Sequence, residues 1–86
     1  MHVTRVRVQR TGNRWGVTQS GLSELLAVYA SWEDAIDYAR GLAAGKAASI
    51  VEGEDQEGRL TLRQLFRTDA RGVVHVRVLP LRPELA

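Results

Sequence analysis

The chain has 86 residues, of which 44% are hydrophobic and 26% are charged, a composition typical of one soluble globular domain. It has no cysteine, which excludes disulfide bonds, thiolate metal sites and cysteine nucleophiles. The longest apolar run, residues 25–30, is too short to cross a bilayer, so no membrane association is expected. Because the first residues contain no apolar signal segment, we expect a cytoplasmic protein.

The net charge of +2 hides an uneven distribution along the sequence. Residues 1–20 contain four arginines and no acid, and residues 21–57 contain eight acids against two bases. Residues 58–86 contain six arginines against two acids. Two basic ends around an acidic middle predict an electrostatically steered partner, although arginine-rich composition is also compatible with a merely solvated surface.

An alternating pattern predicts a β-hairpin at the N-terminus. In residues 2–9, Val6 and Val8 share one side of a strand, while Arg5 and Arg7 share the other. A turn at residues 11–13 leads into a second strand over residues 14–19, in which Trp15 and Val17 share a side. The apolar residues 25–30 are of strand length and predict a third strand.

A helix follows, and its start is marked by a capping pattern. Ser31 has the character of an N-cap residue, and Asp34 lies three residues later. Apolar residues then recur at helical spacing, so one face is expected to pack on a sheet. Gly45 is expected to end the helix in the left-handed conformation, and Gly41 inside it predicts a close backbone approach.

Three more strands are predicted after the helix, over residues 48–52, 59–66 and 73–79. An acidic loop containing Glu52, Glu54, Asp55 and Glu57 separates the first two of these strands and is interpreted as solvated. The fold class is therefore α+β, with a mainly antiparallel sheet of five or six strands in the order βββ-α-β-ββ and one helix on one face. Residues 1–79 are expected to form a single domain, and residues 80–86 an extended tail.

Short motifs in the middle of the chain resemble a known bacterial family. Trp15-Gly16-Val17, the segment Tyr29-Ala30-Ser31-Trp32-Glu33-Asp34-Ala35 and Gly58-Arg59-Leu60 are similar to the YdaT-type domain of unknown function over roughly residues 14–60. The chain departs from that pattern in having no base in residues 20–24. The second hairpin, residues 61–79, has no clear counterpart. The resemblance implies a fold and brings no activity.

A second resemblance is to the plant ethylene-response-factor DNA-binding domain. That module also runs three strands into a helix that opens with Thr-x-Glu-x-Ala-Ala, and its strand arginines and tryptophans enter the major groove. The resemblance implies that Arg5, Arg7, Arg14 and Trp15 contact DNA. The third strand here lacks the arginine and the Gly-x-Phe of that domain.

The basic strand is the best functional signal in the sequence. Arg5, Arg7, Arg10 and Arg14 are placed to follow a phosphate backbone, and Trp15 is placed to stack on a base. A secondary basic set consists of Arg59, Arg63 and Arg77 on the later strands. The alternative is structural: the arginines form a solvated outer face, Trp15 is core, and the later arginines pair with acids of the helix or of a second subunit.

No enzymatic constellation is found in the sequence. His2 and His75 are the only histidines, and no Ser or carboxylate stands in a motif relation to either. We therefore expect no catalytic residues, no metal site, no cofactor and no small-molecule substrate. The favoured function is a non-enzymatic module that binds nucleic acid through a basic sheet surface, and the alternative is a protein-interaction or homo-oligomerisation module.

The last predicted strand is unusually apolar, since four of residues 73–79 are valine. One helix covers only one face of a sheet, so the remaining face or edge must be protected from aggregation in another way. A homodimer is therefore predicted, in which the sixth strand pairs or packs across the interface.

Overall fold

The fold of residues 3–81, which the computed structural model describes, follows the alternation of the sequence. The elements are β1 (Thr4–Thr11), β2 (Arg14–Gln19), β3 (Ala27–Tyr29), α1 (Trp32–Ala44), β4 (Ala48–Glu54), β5 (Leu60–Thr68) and β6 (Val74–Val78). The predicted α+β class and the element order βββ-α-β-ββ are confirmed. The third strand covers three residues of the six predicted for it.

All six strands form one sheet in the order β3-β2-β1-β4-β5-β6. Only β1 and β4 pair in parallel, and the other neighbouring strands pair antiparallel, so the sheet is mainly antiparallel as predicted. The chain reaches β4 from β3 through α1, which crosses the sheet and allows β4 to pair with β1 in parallel. The parallel pair β1 and β4 thus forms the centre of the sheet, and β3 and β6 form its two edges.

The core lies between α1 and the middle strands. Val6, Val8, Val17 and Val51 are fully buried beneath the helix. The helix contributes Ile36 and the small residues Ala35, Ala39 and Ala43, which let its backbone approach the valines closely. Burial of these β-branched side chains on one face leaves the alternate residues of the same strands on the opposite face.

The helix begins as the capping pattern predicts, but the conformation at its C-terminal end differs from the expected one. The Ser31 hydroxyl accepts a hydrogen bond from the Asp34 backbone N–H at 3.1 Å. Gly45 has φ −83°, so the expected left-handed conformation is wrong. The last turn is closed by backbone hydrogen bonds from the Gly45 N–H to the Leu42 carbonyl and from the Lys46 N–H to the Ala43 carbonyl.

The close approach expected at Gly41 occurs at a different glycine. A Cβ on Gly41 would meet no atom within 4 Å, because this position faces solvent. A Cβ on Gly53 in β4 would lie 3.0 Å from Ile36 Cδ1 and 3.1 Å from Trp32 Cζ2. Gly53 therefore allows the start of the helix to sit directly on β4.

Two expectations from the sequence concern residues that lie wholly or partly outside the described range. Residues 82–86 of the expected tail and His2 are not described. Within residues 3–81, no helix has the length and apolarity needed to span a membrane.

We expect the substitution Gly53→Ala to lower the free energy of unfolding by about 1–3 kcal/mol, because the added methyl group overpacks the contact with Ile36 and Trp32. The matched control is Gly41→Ala at a solvent-facing position of the helix. This substitution should raise the free energy of unfolding by about 0.5–1 kcal/mol. Urea denaturation of both variants measures the two values. Stabilisation by both alanines would contradict the close packing of α1 on β4.

Candidate functional site

The face of the sheet that α1 does not cover carries most of the arginines of the strands. Val6 and Val8 of β1 point toward the helix, so Arg5 and Arg7 point to the opposite, open face. The strand register extends this division to the neighbouring strands. Among residues 3–81, the open face carries six arginines, and we refer to these residues as the arginine face: Arg5, Arg7, Arg14, Arg63, Arg67 and Arg77.

Three members of the arginine face converge on one carboxylate, that of Glu52 in β4. The Arg7 Nη2 donates to Glu52 Oε1 at 2.8 Å, and the Arg63 Nε donates to Glu52 Oε2 at 3.1 Å. The Arg5 Nε lies 3.6 Å from Glu52 Oε1, an ionic contact without a hydrogen bond. Members of the first and the secondary arginine sets therefore meet in one cluster.

Backbone pairing explains why these residues meet. Glu52 is the parallel partner of Arg7 and the antiparallel partner of Arg63, so the three side chains stand in a row across three strands. The Glu52 side chain is only 4% exposed, although it lies on the face without a helix. The arginine side chains themselves cover it, and their guanidinium groups supply the hydrogen bonds that a buried carboxylate needs.

The acidic loop interpreted as solvated is therefore partly strand. Glu52 and Glu54 belong to β4 and face the arginines, because β4 runs two residues beyond its predicted end. Glu54 Oε2 lies 3.5 Å from Arg7 Nη1 and accepts a hydrogen bond from Gln9 Nε2 at 3.4 Å. Asp55 remains in the turn, where its carboxylate accepts hydrogen bonds from the backbone N–H groups of Glu57 and Arg59.

The electrostatic state of Glu52 follows from its neighbours. Burial alone would raise the pKa of Glu52, but the hydrogen bond from Arg7 and the charges of Arg7, Arg5 and Arg63 outweigh burial. Together they hold the pKa of Glu52 below its usual value. Glu52 is therefore ionised at neutral pH and stabilises the surrounding arginines.

A groove of about 240 Å³ runs beside Arg5 and Arg7 on the open face. Its other walls are the side chains of Gln9 and Thr18 and the turn that follows β2. Arg5 is about half exposed and, among the described residues, its guanidinium makes no hydrogen bond. The groove thus combines guanidinium donors with a neutral hydroxyl and amide, a set suited to an oxyanion.

The remaining predicted site residues lie elsewhere. Trp15 is 8% exposed and belongs to the core beneath the helix, on the face opposite Arg5 and Arg7. Arg10 lies on that same face, with its Cζ 5.5 Å from the centroid of the Trp15 ring, a cation–π contact. Arg59 is exposed in the turn before β5. The five residues of the first predicted set therefore do not share one surface.

The aromatic side chains are all on the helix side of the sheet. Tyr29, Trp32, Tyr38, Trp15 and Phe66 belong to the core or pack against it. These are all the aromatic residues of the chain. The arginine face therefore offers charge and hydrogen bonds and provides no Phe, Tyr or Trp ring for base stacking.

One contact on the open face was missed in the sequence. His75 Nε2 lies 3.0 Å from Asp69 Oδ2, because the β5–β6 turn folds Asp69 back beside the strand. This hydrogen bond, with those from the backbone N–H groups of Val73 and Arg71, lowers the pKa of Asp69. The Asp-x-x-Gly motif at Asp69 indicates a turn in the sequence. Only the register of the β5–β6 hairpin identifies His75 as the partner of Asp69.

A family model described as "Uncharacterized protein conserved in bacteria (DUF2188)" matches residues 2–61. The matched segment contains β1 to β4, the helix and the first two residues of β5. Comparison with curated proteins and with solved structures finds no match. The match confirms an uncharacterised bacterial domain. The YdaT-type and ethylene-response-factor resemblances receive no support from it.

We expect Glu52→Gln to lower the free energy of unfolding at neutral pH by about 1–3 kcal/mol, because it leaves three arginines without their shared charge. A lowered folded-state pKa means that Glu52 stabilises the fold above its unfolded pKa. That contribution disappears as the pH falls through the folded value. Urea denaturation from about pH 7 to about pH 3 should therefore show the difference between wild type and variant shrinking.

The control for this experiment is Asp37→Asn, which breaks a 3.9 Å contact with Arg40 at a side chain that is 77% exposed. Its effect should stay below about 0.5 kcal/mol at every pH. A Glu52→Gln effect that is as small as the control, or that does not change with pH, would contradict the assigned charge state.

Proposed function

The chain belongs to the DUF2188 family of bacterial proteins, and we propose that it is a non-enzymatic, cytoplasmic module that binds nucleic acid through its arginine face. One observation carries the proposal: arginines from the N-terminal strands and from the C-terminal hairpin meet around Glu52 on a face without a helix. Phosphate contacts by such groups bind a polyanion without reading its sequence.

The charge balance of this face supports the proposal. Within the described residues 3–81, six arginines stand against the carboxylates of Glu52, Glu54 and Asp69, which leaves a net charge of +3 on the face when His75 is neutral. The whole chain has a net charge of only +2, so the positive charge is concentrated on this side of the sheet. A concentrated field attracts a polyanion to one face and orients it there.

The donors around Glu52 are ordered before any ligand arrives. Arg7 and Arg63 use some of their N–H groups on Glu52, and Arg63 Nη1 also donates to the Pro80 carbonyl at 3.1 Å. Their side chains remain 38% and 23% exposed, so other N–H groups face solvent. Prior ordering lowers the entropy cost of binding, while the carboxylate limits affinity by competing with phosphate.

Stacking by Trp15 is not part of this proposal, because the residue is buried on the other face. The proposed contacts are made to phosphate groups, with Arg5 and Arg7 beside the groove and Arg67 and Arg77 on the C-terminal hairpin. We therefore expect little preference for base sequence.

The alternative function is a protein-interaction or homo-oligomerisation module. The observation that favours it is the exposed edge strand β6, whose three valines lie outside the core. This surface is separate from the arginine face, so the two functions are distinguished by variants on different faces of the sheet.

We expect saturable, micromolar binding of the chain to labelled duplex DNA, measured by fluorescence anisotropy across a salt series. Phosphate contacts by the four arginines proposed to make them predict that log affinity falls with log salt at a slope of about −3.6. Arg5→Ala combined with Arg67→Ala should weaken binding about tenfold or more and reduce the slope to about −1.8. Single-stranded DNA is measured in parallel, with a shallower slope expected.

The matched control removes the same charge from the other face, with Arg10→Ala combined with Arg40→Ala. This pair should change affinity much less than the pair on the arginine face. Equal losses would show attraction to net charge alone and would contradict a defined face. Absence of binding at low salt would overturn the proposal and make the interaction module the leading function.

A further inference from the structure

The outer edge strand β6 is exposed on both of its faces. All five residues of Val74–Val78 are exposed, and within residues 3–81 the strand pairs only with β5. Val74, Val76 and Val78 lie on the side that the helix covers over the central strands, yet they are 38%, 52% and 72% exposed. An apolar row of this kind on a sheet edge is a template for another strand.

The backbone of β6 offers a regular set of unpaired groups along this edge. The Val73 carbonyl accepts from the Asp69 N–H at 2.9 Å, and the Leu79 N–H donates to the Arg63 carbonyl at 2.9 Å. Odd-numbered residues therefore turn their backbone groups toward β5. Because these groups alternate along an antiparallel strand, those of the three even-numbered valines point outward.

We propose that β6 pairs antiparallel with β6 of a second copy of this chain, around a two-fold axis that passes beside Val76. This inference is independent of nucleic-acid binding. It specifies the register of the homodimer that the apolar sequence of the last strand predicts.

This register satisfies every outward backbone group of the strand. Val76 faces Val76 of the second copy, and Val74 faces Val78 of the second copy, each pair exchanging two hydrogen bonds. The same alignment places the six valines together on the helix side, where they exclude water from each other. On the open face, His75 lies beside Arg77 of the second copy, so the arginine faces of the two copies are continuous.

Self-pairing fits β6 better than it fits the other edge of the sheet. β3 has three residues and β6 has five, so β6 offers the longer ladder. Edge strands that avoid pairing place charges or prolines along the edge, and in β6 the charged Arg77 points to the open face, away from the row of valines. A strand with the same residue type at 74, 76 and 78 is also self-complementary under a two-fold axis, as a homodimer requires.

Analytical ultracentrifugation of the full chain from micromolar to millimolar concentration tests the assembly. We expect a monomer–dimer equilibrium, and we expect Val76→Lys to weaken the dimer at least about tenfold, because a charged side chain enters the valine cluster. Val28→Lys, at a 43% exposed valine on the opposite edge, is the matched control and should leave the dimer unchanged. Circular dichroism confirms that both variants fold.

Cysteine substitution tests the register, since the chain contains no cysteine of its own. Val76→Cys should form a disulfide-linked dimer under mild oxidation, because the two Cα atoms are about 5.5 Å apart in this pairing. Val74→Cys alone should not, because its two copies are four residues apart along the strand, about 14 Å. A mixture of Val74→Cys and Val78→Cys chains should form the cross-linked heterodimer.

Three results would overturn the proposal. The first is a monomer at every concentration, and the second is a dimer that Val28→Lys disrupts and Val76→Lys does not. The third is cross-linking of Val74→Cys as fast as that of Val76→Cys, which would place the axis elsewhere.

Discussion

The Glu52 carboxylate is the interaction on which the open side of the sheet depends. It lies where the parallel β1–β4 pairing and the antiparallel β4–β5 pairing meet, and it is buried by the arginines that bind it. Arg7 belongs to the segment matched by the family model, and Arg63 lies just after it. The carboxylate therefore joins the C-terminal hairpin to the rest of the sheet electrostatically as well as through the backbone.

A single helix on a six-stranded sheet leaves surfaces that other interactions must stabilise. The helix side is apolar over the central strands, and Gly53 lets the helix pack closely there. On the open side, the same strands place charged residues together, and the negative charge of Glu52 neutralises part of the positive charge of the arginines. At the outer edge neither solution applies to the helix side of β6, because Val74, Val76 and Val78 are exposed there and Arg77 points to the open face. The two proposed binding surfaces are the two regions that the helix leaves uncovered.

The faces of the strands could be predicted from the sequence because alternation is local. Val6 and Val8 lie in the core, and Arg5 and Arg7 lie on the open face, as their alternation indicates. Ser31 caps the helix, as its spacing from Asp34 indicates. The position of β4 beside β1 could not be predicted, since the crossover of α1 brings together residues 45 positions apart, such as Arg7 and Glu52. The sequence alone assigns Glu52 to a solvated loop, because composition describes neighbours in sequence only. The contact between Asp69 and His75 depends instead on the register of the β5–β6 hairpin.

Sharing one carboxylate among three arginines has a consequence for what this face can bind. An isolated anion must compete with Glu52 for the guanidinium groups of Arg7 and Arg63, which weakens its binding at those two residues. In the proposed function, a polyanion contacts several outward N–H groups at once and leaves the Glu52 contacts in place, so its affinity grows with the number of phosphates that reach the face. Pairing through β6 would double that number on one continuous surface without any new residue type. The preference expected of this protein is therefore for length of the polyanion rather than for its sequence.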